Sequence, residues 1–164
     1  MELILWRHAE AENTHPDMDR VLTAKGHTQA EKMAAWLKTR IPANTRILVS
    51  PAKRTQQTAS ALGLDFNTLE ALAPGAQPRA LLQAAGWPDA AGAVLIVGHQ
   101  PTLGMAAAYV MTAKAPGWNV RKGAVLWISN GRDSAQQSVL RATISPDSLY
   151  PLIKSWPIKK PLLA

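Results

Sequence analysis

Leu3-Ile4-Leu5-Trp6-Arg7-His8-Ala9 sets an unbroken apolar run directly against a guanidinium and an imidazole. The arrangement recurs twice: Ile47-Leu48-Val49 stops at Ser50-Pro51 with Arg54 a turn further on, and Val94-Leu95-Ile96-Val97 stops at Gly98-His99. Short apolar runs rich in β-branched residues and closed by Gly or Pro signals predict buried strands of a parallel sheet. In open α/β sheets a ligand sits beyond the carboxyl ends of such strands. The three loops are therefore expected to meet, bringing Arg7, His8, Arg54, His99 and helix N-termini to one place. Two imidazoles and two guanidiniums around a point suit a dianionic phosphoryl group.

The segments between these strands read as helices. Thr23 has N-cap chemistry, and Ala30, Met33, Ala34 and Leu37 follow at helical spacing in a helix that ends before Pro42. Ser50-Pro51 predicts an N-cap followed by proline at the first helical position, opening a helix that runs to Leu62 with Gly63 beyond it. Residues 65–77 read as loop, Pro78–Ala85 as a short helix closed by Gly86, and Thr102–Thr112 as an apolar helix that Pro116-Gly117 follows as a break. Runs at 124–129 and 138–144, joined by Asn130-Gly131-Arg132-Asp133, predict an antiparallel hairpin at the sheet edge. The tail from Pro146 is expected to be extended and packed by Leu149, Tyr150, Leu152, Ile153 and Trp156. With no linker or repeat, residues 1–164 are expected to form one α/β domain, its sheet mostly parallel with an antiparallel edge.

Composition narrows the function classes. A chain of 164 residues can bury about two-thirds of the surface of its unfolded form, enough for a core without covalent staples. The absence of cysteine excludes disulfides, Cys-based zinc sites and thiol catalysis. No stretch approaches the roughly 20 apolar residues of a membrane span, and the first apolar run is too short for a signal peptide, so a cytoplasmic protein is expected. The net charge of +7 is concentrated late: from Met111 onward eight Lys/Arg face only Asp133 and Asp147. Such a surface steers acidic partners. No nucleic-acid partner is expected, because the aromatic residues are not interleaved with the basic ones. His15 and His27 are expected at the surface, and His8-x-Glu10-x-Glu12 is too sparse to predict a metal site.

Neutral imidazole is a competent nucleophile toward phosphorus. Arg7, Arg54, His99 and helix amides around it would supply most of what phosphoryl transfer needs, which is positioning and charge stabilisation. Four segments carry a family resemblance. Arg7-His8-Ala9 resembles the RHG or RHA signature of the histidine phosphatase superfamily, also called phosphoglycerate mutase-like. Leu22-Thr23-Ala24-Lys25-Gly26 with Gln29-Ala30 resembles its LTxxGxxQA segment, Ser50 through Ala59 its SPxxRxxQTA, and Gly98-His99-Gln100-Pro101 its GHxP. Within the superfamily, the size, the RHAEA opening and Arg20-Val21-Leu22-Thr23 look most like the SixA-type phosphohistidine phosphatases. The resemblance implies a three-layer α/β/α sandwich, catalysis without cofactor or metal, His8 as nucleophile, and Arg7, Arg54, His99 and Arg20 as ligands of the phosphoryl group.

The leaving group is a point of departure. Many superfamily members that cleave phosphate esters carry a mid-chain Glu or Asp, because an alkoxide leaves poorly without a proton. Here Glu70 is the only carboxylate in residues 68–75, which makes it the candidate general acid. A phosphoramidate can leave as neutral imidazole and needs an acid less. The expected substrate is therefore phosphohistidine on a protein, such as an acidic phosphotransfer domain, with inorganic phosphate as product and the enzyme acting as a monomer. The alternatives are a small-molecule phosphomonoesterase or mutase of the same superfamily, and a noncatalytic phosphate- or polyphosphate-binding module.

Overall fold

The computed structural model describes residues 1–113, 117–130 and 138–149. Six strands form one sheet in the order β3-β2-β4-β1-β5-β6: β1 (Glu2–Arg7), β2 (Arg46–Val49), β3 (Asn67–Thr68), β4 (Ala93–Gly98), β5 (Val125–Asn130) and β6 (Ser138–Ile144). The first four pair in parallel; β5 runs antiparallel to β1, and β6 antiparallel to β5. The antiparallel edge is thus where the hairpin pattern places it.

Strand side chains alternate between two apolar layers. Leu3, Leu5, Leu48, Val94, Ile96, Leu126 and Ile128 pack with α3 (Pro78–Ala85) and α4 (Thr102–Thr112). Ile4, Trp6, Ile47, Val49, Leu95, Val97, Val125 and Trp127 pack with α1 (Ala24–Lys38) and α2 (Lys53–Ser60). The result is the expected three-layer sandwich. Each large aliphatic side chain taken fully out of water adds about 1.5–3 kcal/mol, so the continuous apolar runs of β1 and β4 are the strongest determinants of sheet order.

Local signals act as the sequence suggests at several boundaries. Thr23 accepts from the Gly26 amide at 2.9 Å and caps α1, and Gly86, at φ 74°, closes α3 in the left-handed region that glycine tolerates. α1 stops at Lys38, before Pro42 as expected, where the Arg40 and Ile41 amides both turn back to the Leu37 carbonyl. Other elements differ: β1 continues through Arg7, and α2 ends at Ser60, not Leu62. Residues 65–77 are not all loop: they hold β3 and a 3-10 turn at Glu70–Leu72, whose Leu72 is buried. Helix α2 begins at Lys53 with Ala52 as N-cap, not at Ser50-Pro51.

Pro146–Ser148 forms a 3-10 turn rather than extended chain. The rest of the tail from Tyr150, Pro116, and the turn residues Gly131, Arg132 and Asp133 lie outside the described residues. Among the described residues, no helix is long and apolar enough to cross a membrane.

Candidate active site

The parallel register brings three loops to one edge. Arg7 lies opposite Gly98, and both Trp6 and Val49 lie opposite Val97, so β1, β2 and β4 end side by side. The backbone continues the alignment: the His8 amide donates to the Gly98 carbonyl and the Ser50 amide to the Val97 carbonyl, each at 3.1 Å. Arg7, His8, Ser50 and His99 are therefore fixed relative to one another by sheet hydrogen bonds rather than by loop packing.

His8 is buried, and its Nδ1 lies 2.7 Å from the Ala9 carbonyl oxygen. A carbonyl only accepts, so Nδ1 carries the proton and Nε2 keeps its lone pair. Burial, the largest effect, pushes the imidazole pKa down to about 4; the Ala9 hydrogen bond opposes it, and the charges of Arg54, Arg7 and Arg20 lower it further. At neutral pH this ring is uncharged.

The loop that follows His8 is braced by residues distant in sequence. The Ala9 amide donates to Thr58 Oγ1, the Glu10 amide to Gln29 Oε1 and the Leu22 amide to Gln57 Oε1. Gly26 lets α1 press against this loop: a Cβ there would stand 1.9 Å from the Glu10 carbonyl oxygen. Ala9, Ala11, Leu22 and Ala30 seal the contact with a small apolar cluster. The residues between Thr23 and Ala59 that carry the family resemblance thus include the ones that hold the His8 loop.

His99 stands 5.3 Å from His8 between ring centroids, tilted by 54°. Its Nδ1 is 3.3 Å from Arg54 Nη2. Arginine only donates, so Nδ1 accepts, and the proton sits on Nε2, which donates to Ser50 Oγ at 2.7 Å. Burial is again the main cause of a depressed pKa, here about 3, with the His8 and Arg54 charges next. Ser50 is fully buried. Its hydroxyl also accepts from the Ala52 amide at 3.3 Å, so the side chain read as a helix cap chiefly orients an imidazole delivered by β4.

The arginines differ in how they are held. Arg7 Nη1 donates to the Val120 carbonyl at 2.7 Å, and residues 118–120 are clamped in turn by Gln100, whose amide donates to the Trp118 carbonyl and accepts from Gly104. Arg54 lies buried on the first turn of α2. The Nε atoms of Arg7 and Arg54 are buried with no hydrogen-bond partner among the described residues, so the cluster has more donors than protein acceptors. Arg20 reaches the same cluster, donating to the Glu12 carbonyl and to Asp17, which also pairs with Arg54. Sequence reasoning missed Ser50 as a partner of His99 and Asp17 altogether; the Asp17-x-x-Arg20 spacing was the available signal for the second. Glu70 is exposed at the start of its 3-10 turn, and no hydrogen bond or ion pair among the described residues ties its side chain to this cluster. His15 and His27 are exposed.

Residues 3–73 match the model of the histidine phosphatase superfamily, branch 1. An uncharacterised protein of Picosynechococcus sp. (strain ATCC 27264 / PCC 7002 / PR-6) is 33% identical over 142 residues, covering 80% of this chain and 86% of that protein. The chain belongs to the histidine phosphatase superfamily and is a phosphatase. Within it, the structure is similar to the protein histidine phosphatase SixA solved with tungstate, at TM-score 0.72 and 25% identity over 92% of this chain and all of that one. It is equally similar to a protein of Nakamurella multipartitia described as the phosphohistidine phosphatase SixA, at TM-score 0.72 and 29% identity over 88% of this chain and 95% of that one.

Proposed function

We propose that this phosphatase removes phosphoryl groups from phosphohistidine on an acidic protein, through a phosphoenzyme on His8 Nε2. The observation that carries the reading is the fixed tautomer of His8: Nδ1 is committed to the Ala9 carbonyl, and the bare Nε2 belongs to a buried, uncharged ring. Arg7, Arg54, Arg20 and His99 meet the charge of the equatorial oxygens.

The proton balance favours a phosphoramidate. A phosphohistidine protonated on its free ring nitrogen carries the phosphoryl group on a leaving group that departs as neutral imidazole. His8 Nε2 forms the new P–N bond as the old one breaks, and the Nδ1 proton gives His8 the same imidazolium form that the substrate has lost. Water then attacks phosphorus, the His8 P–N bond breaks with its electron pair returning to Nε2, and both water hydrogens stay with the departing phosphate as dihydrogen phosphate. His8 returns to its neutral state, and no side chain has lent a proton. An alkyl ester would leave as an alkoxide and requires an acid; Glu70, exposed and with no side-chain hydrogen bond or ion pair among the described residues, is the candidate for that secondary role. The four cationic or hydrogen-bonding groups supply the positive field, so the chemistry runs without a metal ion.

The protein substrate is supported by the similarity to SixA structures and by the basic excess from Met111 onward, which complements an acidic phosphotransfer domain in the cytoplasm. The enzyme acts as a monomer on this reading, its residues 1–164 forming one domain. The test compares initial rates on a phosphohistidine-bearing protein and on phosphoserine or alkyl phosphate esters. Faster turnover of the phosphoprotein, unchanged in Glu70→Gln, is expected. Faster ester turnover that Glu70→Gln abolishes would overturn it in favour of a small-molecule phosphomonoesterase.

A further inference from the structure

The Asp17 carboxylate lies between two of the guanidiniums assigned above to the phosphoryl group. Its Oδ2 accepts from Arg54 Nη2 at 3.0 Å and its Oδ1 from Arg20 Nη1 at 3.1 Å, while the Asp17 carbonyl accepts from Arg54 Nη1 at 2.6 Å. The Arg54 side chain is only 4% exposed, whereas that of Asp17 is 51% exposed. A buried cation at the reaction centre is thus neutralised by an acid reaching in from the surface.

Beyond main-chain bonds at its two ends and the Asp17 carbonyl, the loop around Asp17 is held by this carboxylate. Residues 12–19 are exposed, and among the described residues the only side chain of 13–19 that bonds to the body of the protein is Asp17. With one oxygen on each guanidinium, the carboxylate presents to Arg20 and Arg54 what two equatorial oxygens of a phosphoryl group would present, at half the charge. A tethered monoanion has a further advantage over a free one, because its local concentration is set by the loop and not by the solution.

We propose that Asp17 is a specificity-determining residue, an internal anion that holds Arg20 and Arg54 until a phosphoryl dianion displaces it, so that singly charged anions do not occupy the site. The inference rests on the phosphoryl site proposed above. A free monoanion gains from the two guanidiniums no more than Asp17 already supplies, and it loses translational freedom on binding. A dianion gains more from the same two groups and adds Arg7 and His99. The displaced carboxylate, half exposed already, is solvated as it leaves.

The experiment is calorimetric titration of the full chain with inorganic phosphate and with dimethyl phosphate, a tetrahedral monoanion, in the wild type, Asp17→Asn and Asp19→Asn. Asp19 removes the same charge from the same turn and carries no ion pair among the described residues. Asp17→Asn is expected to tighten phosphate by about fivefold, the scale of an ion pair with one partner facing water, and to admit dimethyl phosphate, while Asp19→Asn matches the wild type. The KM for phosphorylated substrate falls with it, and kcat does not rise. A purely structural Asp17 would give the opposite sign: phosphate bound by the wild type but equally or more weakly by Asp17→Asn overturns the inference and leaves the phosphoryl site standing. No phosphate binding by any of the three proteins would remove both.

Discussion

Lowering the pH from 7 to 5 is expected to remove about 4 kcal/mol of folding stability through His8 and His99 together. Both rings are neutral in the folded protein because burial pushes their pKa values from 6.5 to about 4 and about 3. In the unfolded chain each regains an ordinary value and takes up a proton below about pH 6.5. Unfolding therefore consumes protons, and stability is full above the unfolded value, then falls as the pH drops from about 6.5 toward the folded values. Each ring contributes roughly 1.4 kcal/mol per pH unit inside that window, or about 2 kcal/mol at pH 5. Against a total of about 5–15 kcal/mol for a typical domain, this is a large share. The assay is urea unfolding at pH 7, 6 and 5 for the wild type, His8→Gln and His99→Gln, since the carboxylates give all three proteins a common background. Each variant should flatten the pH slope by about 1.4 kcal/mol per unit. Variants whose stabilities fall in parallel with the wild type would refute the assignment of two buried neutral imidazoles.

Other expectations follow from individual contacts. Ser50→Ala removes the buried acceptor of His99 Nε2, and an orphaned buried donor costs about 1–3 kcal/mol; stability and kcat/KM should both fall, and an unchanged kcat/KM would mean that the His99 tautomer is immaterial. Gly26→Ala places a methyl group 1.9 Å from the Glu10 carbonyl oxygen, so the loop after His8 must move, and activity should drop more than the melting temperature alone explains. Gly104→Ala would meet the Trp118 carbonyl oxygen at 1.8 Å; by displacing residues 118–120 it should loosen Arg7 and raise the KM for phosphorylated substrate, with wild-type KM counting against that chain of contacts. Activity after exhaustive chelation should equal that of untreated enzyme.

The parts of the fold legible in the sequence are those set by continuous patterns. The apolar runs of β1, β2 and β4 mark buried parallel strands because burial on both faces leaves no room for alternation. Thr23 and Gly86 mark helix ends because their roles are local. The cluster of Arg7, His8, Arg54 and His99 was legible for a topological reason, since parallel strands deliver their following loops to one edge. Contacts between side chains far apart in sequence were not legible. Ser50 has the chemistry of a cap, and nothing within its own segment reveals that β4 brings an imidazole to it from 49 residues away. Asp17 sits in an exposed loop with turn-like composition, where an acid is ordinarily solvated; its partnership with Arg54 spans 37 residues. The two-residue β3 is too short to carry a period, and its place is fixed by pairing with β2. Gln29, Gln57 and Thr58 look like polar helix positions until the backbone amides they accept from are known.

The most direct test of the whole account is a rapid-quench experiment with a ³²P-labelled phosphohistidine protein, followed by alkaline digestion and mapping of the labelled peptide. Acid-labile, alkali-stable phosphate on His8, formed and lost within one turnover and missing in His8→Ala, is the expected result. Full hydrolysis by His8→Ala, or label carried by any other residue of the chain, would contradict it.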